Sequence, residues 1–106
     1  MSNGSPQSKT NTQVLEREET EIALPKMWSV TFHNDDVTGF DFVMFILMKV
    51  FKKTAEQSFE FAKDVHENGK GVAGTYPYEM AEEKYEQALT LIRANQQNLR
   101  ITLDEE

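Results

Sequence analysis

Apolar and polar side chains begin to alternate regularly at Met27. From there, Trp28, Val30 and Phe32 alternate with polar residues up to Asn34. This period of two predicts a strand with one buried face.

A run that is apolar on nearly every side occupies residues 40–51. It predicts a first helix, and a helix of this composition should be covered on more than one face. Thr38, followed by Asp41, resembles a capping box at its start. Asn34 to Asp36 separate this helix from the strand.

A second helix is predicted after Thr54 and Gln57, which form another capping box. Its predicted apolar stripe recurs at helical spacing and consists of Ala55, Phe59, Ala62 and Val65. Gly69 supplies a left-handed stop.

The remaining elements are two strands and a third helix. Residues 71–76 are short and glycine-rich, which suits a strand where another backbone passes closely. Pro77 is tolerated in the first turn of a helix whose apolar face continues to about Ala94. Alternation then returns at Leu99, Ile101 and Leu103.

The order strand, helix, helix, strand, helix, strand predicts an α+β fold. Its three strands form one antiparallel sheet with three helices packed against one face. We expect one core domain at residues 27–106 and a flexible extension at residues 1–26, because residues 1–13 are almost devoid of apolar side chains. Residues 14–26 are interpreted as a solvated leader or, less favourably, as a segment that orders against a partner.

The composition of the chain excludes several classes of function. The 106 residues include 18 acidic and 11 basic side chains, for a net charge of -7. This balance argues against binding nucleic acid or anionic membrane surfaces. The absence of cysteine excludes a disulfide framework and a thiolate nucleophile. Without a long apolar run or a signal segment, a cytoplasmic protein is expected.

Acceptor-bearing side chains cluster where the first strand ends. Asn34, Asp35 and Asp36 lie there, close to Thr38 at the start of the apolar helix. They are either a simple turn or an acidic rim above an apolar cavity. His66 lies beside the buried stripe at the end of the second helix, where a histidine more often serves packing or the helix terminus.

An enzyme is the weaker interpretation of these residues. Asp35 and Asp36 are adjacent in a turn and point in different directions. Since no second close histidine and no activated serine or cysteine accompanies His66, neither a complete zinc site nor a nucleophile with its base can be assembled. We therefore expect no catalytic activity, no bound metal and no cofactor.

Two stretches carry a resemblance to a known family. VTFHNDDVTGFDFV at residues 30–43 and VHENGKGVAGTYPYEMAEEK at residues 65–84 closely resemble ClpS, the adaptor that delivers N-degron substrates to the ATP-dependent Clp protease. The resemblance extends over residues 27–104. It implies the same order of strands and helices.

The resemblance implies binding of proteins with N-terminal Leu, Phe, Tyr or Trp. Asn34 and His66 would contact the α-amino group directly, Asp36 would do so directly or through water, and Asp35 would supply the local field and hold the backbone. Acceptors must converge on an ammonium in a partly dry site, since unpaired donors there are costly. The apolar cavity would be lined by Phe32, Thr38, Phe40, Val43, Val65 and Leu99.

One residue departs from the family pattern. Phe40 stands where many members have methionine, and its stiff ring should narrow the accepted side chains, so we expect Trp to bind more weakly than Leu or Phe.

The resemblance also implies partners. Glu79 and Lys84 match positions that dock on the N-terminal domain of a ClpA-type or ClpC-type unfoldase, and the protein should be a monomer. The alternative is a structural interaction module similar to the C-terminal domain of the ribosomal stalk protein, without N-degron binding.

Overall fold

The computed structural model describes residues 25–106, so the predicted extension lies almost entirely outside the described residues. The elements are β1 (Met27–His33), α1 (Phe40–Lys49), α2 (Ala55–Asn68), β2 (Lys70–Pro77), α3 (Tyr78–Ala94) and β3 (Arg100–Glu105). Their order and the single three-stranded antiparallel sheet confirm the predicted α+β fold.

The sheet has β1 at its centre, with β2 on one side and β3 on the other. Successive side chains of a strand point to opposite faces. Val30 and Phe32 of β1 are fully buried in the core. Ser29, Thr31 and His33 instead line a groove on the opposite face, together with residues of both neighbouring strands. The helices therefore cover one face, as predicted.

The helices form a second layer. α3 packs against all three strands, α2 packs against β2, and α1 packs against α2. The core between the layers consists of Val30, Phe32, Val43, Ile46, Leu47, Val50, Ala62, Val65, Ala73, Ala81, Ala88, Ile92, Leu99 and Ile101. Phe40 and Val43, in the first turn of α1, also line a cavity.

The start of α1 differs from the predicted capping box. The N-cap is Gly39, which makes no side-chain hydrogen bond to the helix. The Thr38 N–H donates to the Asp35 carboxylate instead, and the Asp41 carboxylate accepts from the neighbouring Phe42 N–H. Because α1 begins at Phe40, the capping position is Gly39, and Thr38 lies one residue before it.

The outer face of α1 also departs from expectation. Phe45 and Met48 are each 42% exposed, so this helix is covered on fewer sides than its composition predicted. Within residues 25–106, no helix has both the length and the apolar character needed to span a bilayer.

The predicted ends of α2 are confirmed. Thr54 and Gln57 form the reciprocal capping box, and Gly69 adopts a left-handed conformation with φ of 92°. The buried face differs from the predicted stripe, since Ser58 is buried and Phe59 is 46% exposed.

Strand β2 contains an irregularity opposite the middle of β1. Val30 pairs with Gly74 and Thr31 pairs with Val72, which leaves Ala73 as an extra residue. The glycines of this strand suggested that another backbone passes close to it. At Gly71, however, the close neighbours are side chains. A Cβ added there would lie 3.1 Å from Val65 and 3.2 Å from Phe61.

Candidate functional site

The end of β1 is joined directly to the end of α2. The Asn34 N–H donates a hydrogen bond of 2.9 Å to the Gly69 carbonyl oxygen. The left-handed turn at Gly69 directs the chain from α2 back to the sheet, so that carbonyl reaches the first strand. The polar turn after β1 and the last turn of α2 are therefore held side by side.

Asp35 organises the turn between β1 and α1. Its Oδ1 atom accepts hydrogen bonds from the Val37 N–H at 2.8 Å and the Thr38 N–H at 2.7 Å. Burial acts to raise the pKa of Asp35, but the Thr38 and Val37 amides outweigh it, so this pKa is below its ordinary value. The carboxylate thus stays ionised near neutral pH and holds the backbone.

Two polar atoms beside this turn are buried without a hydrogen-bond partner among the described residues. They are the Asp35 Oδ2 and the Thr38 Oγ1 atoms. A buried acceptor or hydroxyl left unpaired is costly, and such groups concentrate where ligands or water complete the bonding. The rim of the site therefore has unused hydrogen-bonding capacity.

Asn34, Asp36 and His66 lie at the surface of the site. All three are exposed, and within residues 25–106 their side chains make no hydrogen bonds, so their acceptor atoms are available to a ligand. The His66 ring meets the edge of Phe40 with ring centroids 5.9 Å apart. Phe40 in turn contacts Phe59 at the same centroid distance, 5.9 Å, which limits its rotation.

These groups surround a cavity of about 210 Å³. Its lining residues are His33, Asn34, Asp35, Asp36, Thr38, Gly39, Phe40, Val43, Ala62, Val65, His66 and Leu99. The structure brings together all four residues predicted for the amino group and, with one exception, the residues predicted for the apolar wall. They come from the turn that follows β1, from α1 and α2, and from the residue that precedes β3.

The exception is Phe32, whose predicted place in the cavity wall does not agree with the structure. Its side chain is fully buried and lies in the core. Its ring packs edge-on against Phe51 at 5.7 Å and Phe61 at 5.6 Å between centroids. The strand turns Phe32 into the core beneath the cavity.

Three lining residues were not predicted from the sequence. Ala62 was recognisable, because it shares the buried stripe of α2 with Val65. Gly39 lines the cavity as the N-cap of α1. His33 lies on the polar side of β1, yet it is half-buried and its Nε2 lies 2.9 Å from the Thr102 Oγ1 atom. Only its position at the end of β1 could have suggested a place near the cavity.

The arrangement of these side chains is suited to binding a small ligand. Among residues 25–106, no group of three or more His, Asp or Glu side chains could hold a metal ion. Carboxylate, amide and imidazole acceptors stand at one side of an apolar hollow. A ligand that fits has a donor-bearing cation next to a large apolar group.

Glu79 and Lys84 lie on α3, away from this cavity. Glu79 is exposed in the first turn of the helix. Lys84 is half-buried, and its ammonium donates a hydrogen bond of 3.0 Å to the Val50 carbonyl oxygen at the end of α1. A cation at the C-terminal end of a helix is stabilising, so Lys84 has a role within the fold that its spacing did not predict.

Comparison with known proteins points to one family. The family model described as ATP-dependent Clp protease adaptor protein ClpS matches residues 23–102. The adapter protein ClpS of Bdellovibrio bacteriovorus is 41% identical over 102 residues, which cover 96% of this chain and 86% of that protein. The ClpS of Lawsonia intracellularis is 46% identical over 84 residues, covering 79% of this chain and 77% of that protein.

A solved structure shares the fold. The structure of ClpS2 of Agrobacterium tumefaciens, bound to L-phenylalaninamide, matches with a TM-score of 0.74 and 28% sequence identity. The match covers 78% of this chain and 100% of that one.

Proposed function

The chain belongs to the ClpS family of adaptor proteins of the ATP-dependent Clp protease, and we propose from this premise that it binds proteins with an N-terminal Leu, Phe, Tyr or Trp. It then delivers them to a ClpA-type or ClpC-type unfoldase. The observation that carries the proposal is the cavity of about 210 Å³, where hydrogen-bond acceptors and an apolar wall face the same space. We assign no catalytic step to the chain, and its cytoplasmic location stays a prediction.

Recognition of the α-amino group needs acceptors, because a protonated amine brings three donors and a positive charge. The Asn34 side-chain oxygen and a neutral His66 ring nitrogen accept directly in this proposal. Asp36 accepts directly or through a water molecule. Hydrogen bonds to a charged group each contribute about 1.5 to 3 kcal/mol, so an acetylated peptide loses most of its affinity.

The apolar wall selects the side chain. Burial of a Leu or Phe side chain among Val43, Val65 and Leu99 contributes about 1.5 to 3 kcal/mol. β-Branched Val and Ile are refused by crowding close to the peptide backbone. Lys and Glu are refused because their charged ends would be desolvated without a partner.

The ligand of Agrobacterium tumefaciens ClpS2 supports separate recognition of the α-amino group and of the first side chain. L-Phenylalaninamide carries a free α-amino group and a benzyl side chain, the same two groups that an N-terminal Phe presents. It has no residue after the first. We therefore propose that the first residue alone is sufficient for binding to the cavity of this chain as well.

Short peptides that differ only in their first residue test the proposal. Peptides beginning with Leu, Phe or Tyr should bind in a fluorescence or calorimetric titration, and those beginning with Val, or with acetylated Phe, should bind at least about tenfold more weakly. Acetylation keeps the side chain and deletes the charge. If no N-terminal Leu or Phe peptide binds and a large partner is still bound, the structural interaction module is favoured.

Docking on the N-terminal domain of the unfoldase is proposed for the face of α3 that carries Glu79 and Lys84. Glu79→Lys is the cleaner test, because Lys84 also holds the end of α1. It should weaken binding of the chain, acting as a monomer, to the isolated unfoldase domain by about tenfold and leave peptide affinity unchanged. Glu60→Lys, which reverses an exposed charge on α2, is the control, and an equal loss for both variants would contradict the assignment.

A further inference from the structure

Three basic side chains stand in a row across one end of the sheet. His33 of β1 pairs with Lys70 of β2 and with Arg100 of β3. Neighbouring strands lie about 4.8 Å apart, so the three side chains are close together. This basic row, made of Lys70, His33 and Arg100, is unexpected in a chain with a net charge of -7.

The basic row forms one end of a groove of about 480 Å³ on the sheet face that the helices leave uncovered. The floor of this open-face groove is polar, since Ser29 is only 1% and Thr31 only 6% exposed. Asp104 and Glu106 also line it. The groove therefore has a polar floor and walls of both charges.

The hydrogen bonds of His33 identify its protonated nitrogen. The Thr102 hydroxyl donates to the Asp104 carboxylate at 2.7 Å. Since a hydroxyl has one hydrogen, its oxygen must accept from the His33 Nε2–H, 2.9 Å away. The Nδ1 atom of a neutral His33 is therefore the unprotonated nitrogen.

The two permanent charges of the row have no carboxylate partner in the part of the chain that the structure describes. The ion pair found there joins Lys26 and Glu105 at 2.9 Å. Burial, the Arg100 charge and the Lys70 charge all lower the pKa of His33, whereas the Asp104 carboxylate raises it. The lowering effects outweigh Asp104, so the pKa lies below its ordinary value of 6.5. At neutral pH the row therefore has two positive charges, on Lys70 and Arg100, and neither is paired with a carboxylate of residues 25–106.

The basic row borders the cavity described above. His33 lines both the cavity and the open-face groove. Lys70 follows Gly69, whose carbonyl holds Asn34, and Arg100 follows Leu99 of the cavity wall. A peptide extends by at most about 3.6 Å per residue, so the residues after a bound first residue can reach the row.

We propose that the basic row binds a carboxylate side chain at the second to fourth positions of a bound peptide. The chain would then favour an N-terminal Leu or Phe that is followed closely by Asp or Glu. This inference rests on the proposed function, because the first residue of the peptide must occupy the cavity.

Two peptides of nearly equal shape test it, one beginning Phe-Glu-Glu-Glu and the other Phe-Gln-Gln-Gln. The glutamate peptide should bind about three- to tenfold more tightly at low salt, as expected for exposed charge pairs that act together. This advantage should shrink in about 0.5 M salt, since screening shortens the range of the attraction.

The double variant Lys70→Gln/Arg100→Gln should abolish the advantage and keep the affinity for the glutamine peptide. Lys49→Gln/Arg93→Gln removes two exposed charges elsewhere and should preserve the advantage. Equal binding of both peptides by the unmodified protein, or an advantage that survives the Lys70→Gln/Arg100→Gln change, overturns the inference. If the glutamine peptide does not bind at all, the proposed function itself is wrong, and this inference fails with it.

Discussion

The two faces of the sheet are made by the same residues of β1 in alternation, yet they offer different environments. On the helix-covered face, Val30 and Phe32 are fully buried in an apolar core that borders the cavity. On the open face, Ser29, Thr31 and His33 line a polar groove.

The difference between the two faces indicates how much each can contribute to the free energy of ligand binding. An enclosed apolar cavity removes a ligand side chain from water, and this gives large free energies. A solvated groove offers charges and hydroxyls that water and salt also satisfy, so its contribution is small and selective. The covered face is suited to affinity and the open face to discrimination.

The largest expected effect is a loss of stability from the covered face. Phe32→Ala should lower the free energy of unfolding by about 3 to 5 kcal/mol, since it leaves a cavity among Phe51 and Phe61. Thr31→Ala, on the open face beside it, should cost about 1 kcal/mol or less. Urea unfolding measures both values, and similar costs would show that the two faces do not differ in this way.

The next effect concerns the rim of the cavity. Asn34→Ala should weaken binding of an N-terminal Phe peptide by about 10- to 100-fold, because one acceptor for the ammonium is lost. Thr75→Ala, on the open face beside Ser29, is the matched control and should leave the affinity for a peptide without acidic residues unchanged. Calorimetric titration measures both, and unchanged affinity in Asn34→Ala would remove this residue from the site.

A smaller effect is expected at Phe40. The unmodified protein should bind an N-terminal Trp peptide more weakly than Leu or Phe peptides, and Phe40→Met should improve Trp binding by about three- to tenfold. A thioether adapts its shape where an aromatic ring held by Phe59 cannot. Equal affinities of the unmodified protein for the three peptides would contradict the idea that Phe40 narrows the cavity.

The smallest effect is a pH dependence that comes from the open face. Because the pKa of His33 is lowered in the folded protein, the unfolded chain binds a proton first as the pH falls. The stability associated with neutral His33 is therefore present above pH 6.5 and is lost as the pH falls through the lower, folded value. His33→Gln should reduce the slope of unfolding free energy against pH in this window, and an identical slope would contradict the assignment.

Much of the fold followed from rules that act between nearby residues. The alternation of β1 correctly assigned Val30 and Phe32 to the core. Thr54 and Gln57 lie three residues apart and cap α2 as predicted. Gly69 ended that helix because a left-handed conformation is favourable for a residue without a side chain.

The errors arose where one local preference competed with another. Thr38 was expected to cap α1, but the Asp35 carboxylate took its N–H. On α2, which packs against both α1 and β2, the buried face passes through Ser58 and leaves Phe59 exposed. Sequence periodicity does not resolve a rotation of this size.

The site was harder to predict than the fold from rules that act between nearby residues. The turn at Asn34 and the histidine at the end of α2 are far apart in the chain, and only the resemblance to a family indicated that they meet. Similarly, the hydrogen bond from Lys84 to Val50 joins residues 34 positions apart, and neither residue type predicts the other.

The assembly of the cavity from distant segments has a consequence for partly unfolded copies of the chain. Its wall needs the turn at Asn34, two helices and Leu99 at the same time, so no fragment of the chain retains it. Separation of β1 or β3 from the sheet would displace one part of this wall even if the helices stayed folded. Under the proposed function, a partly unfolded copy of the chain would therefore bind no peptide.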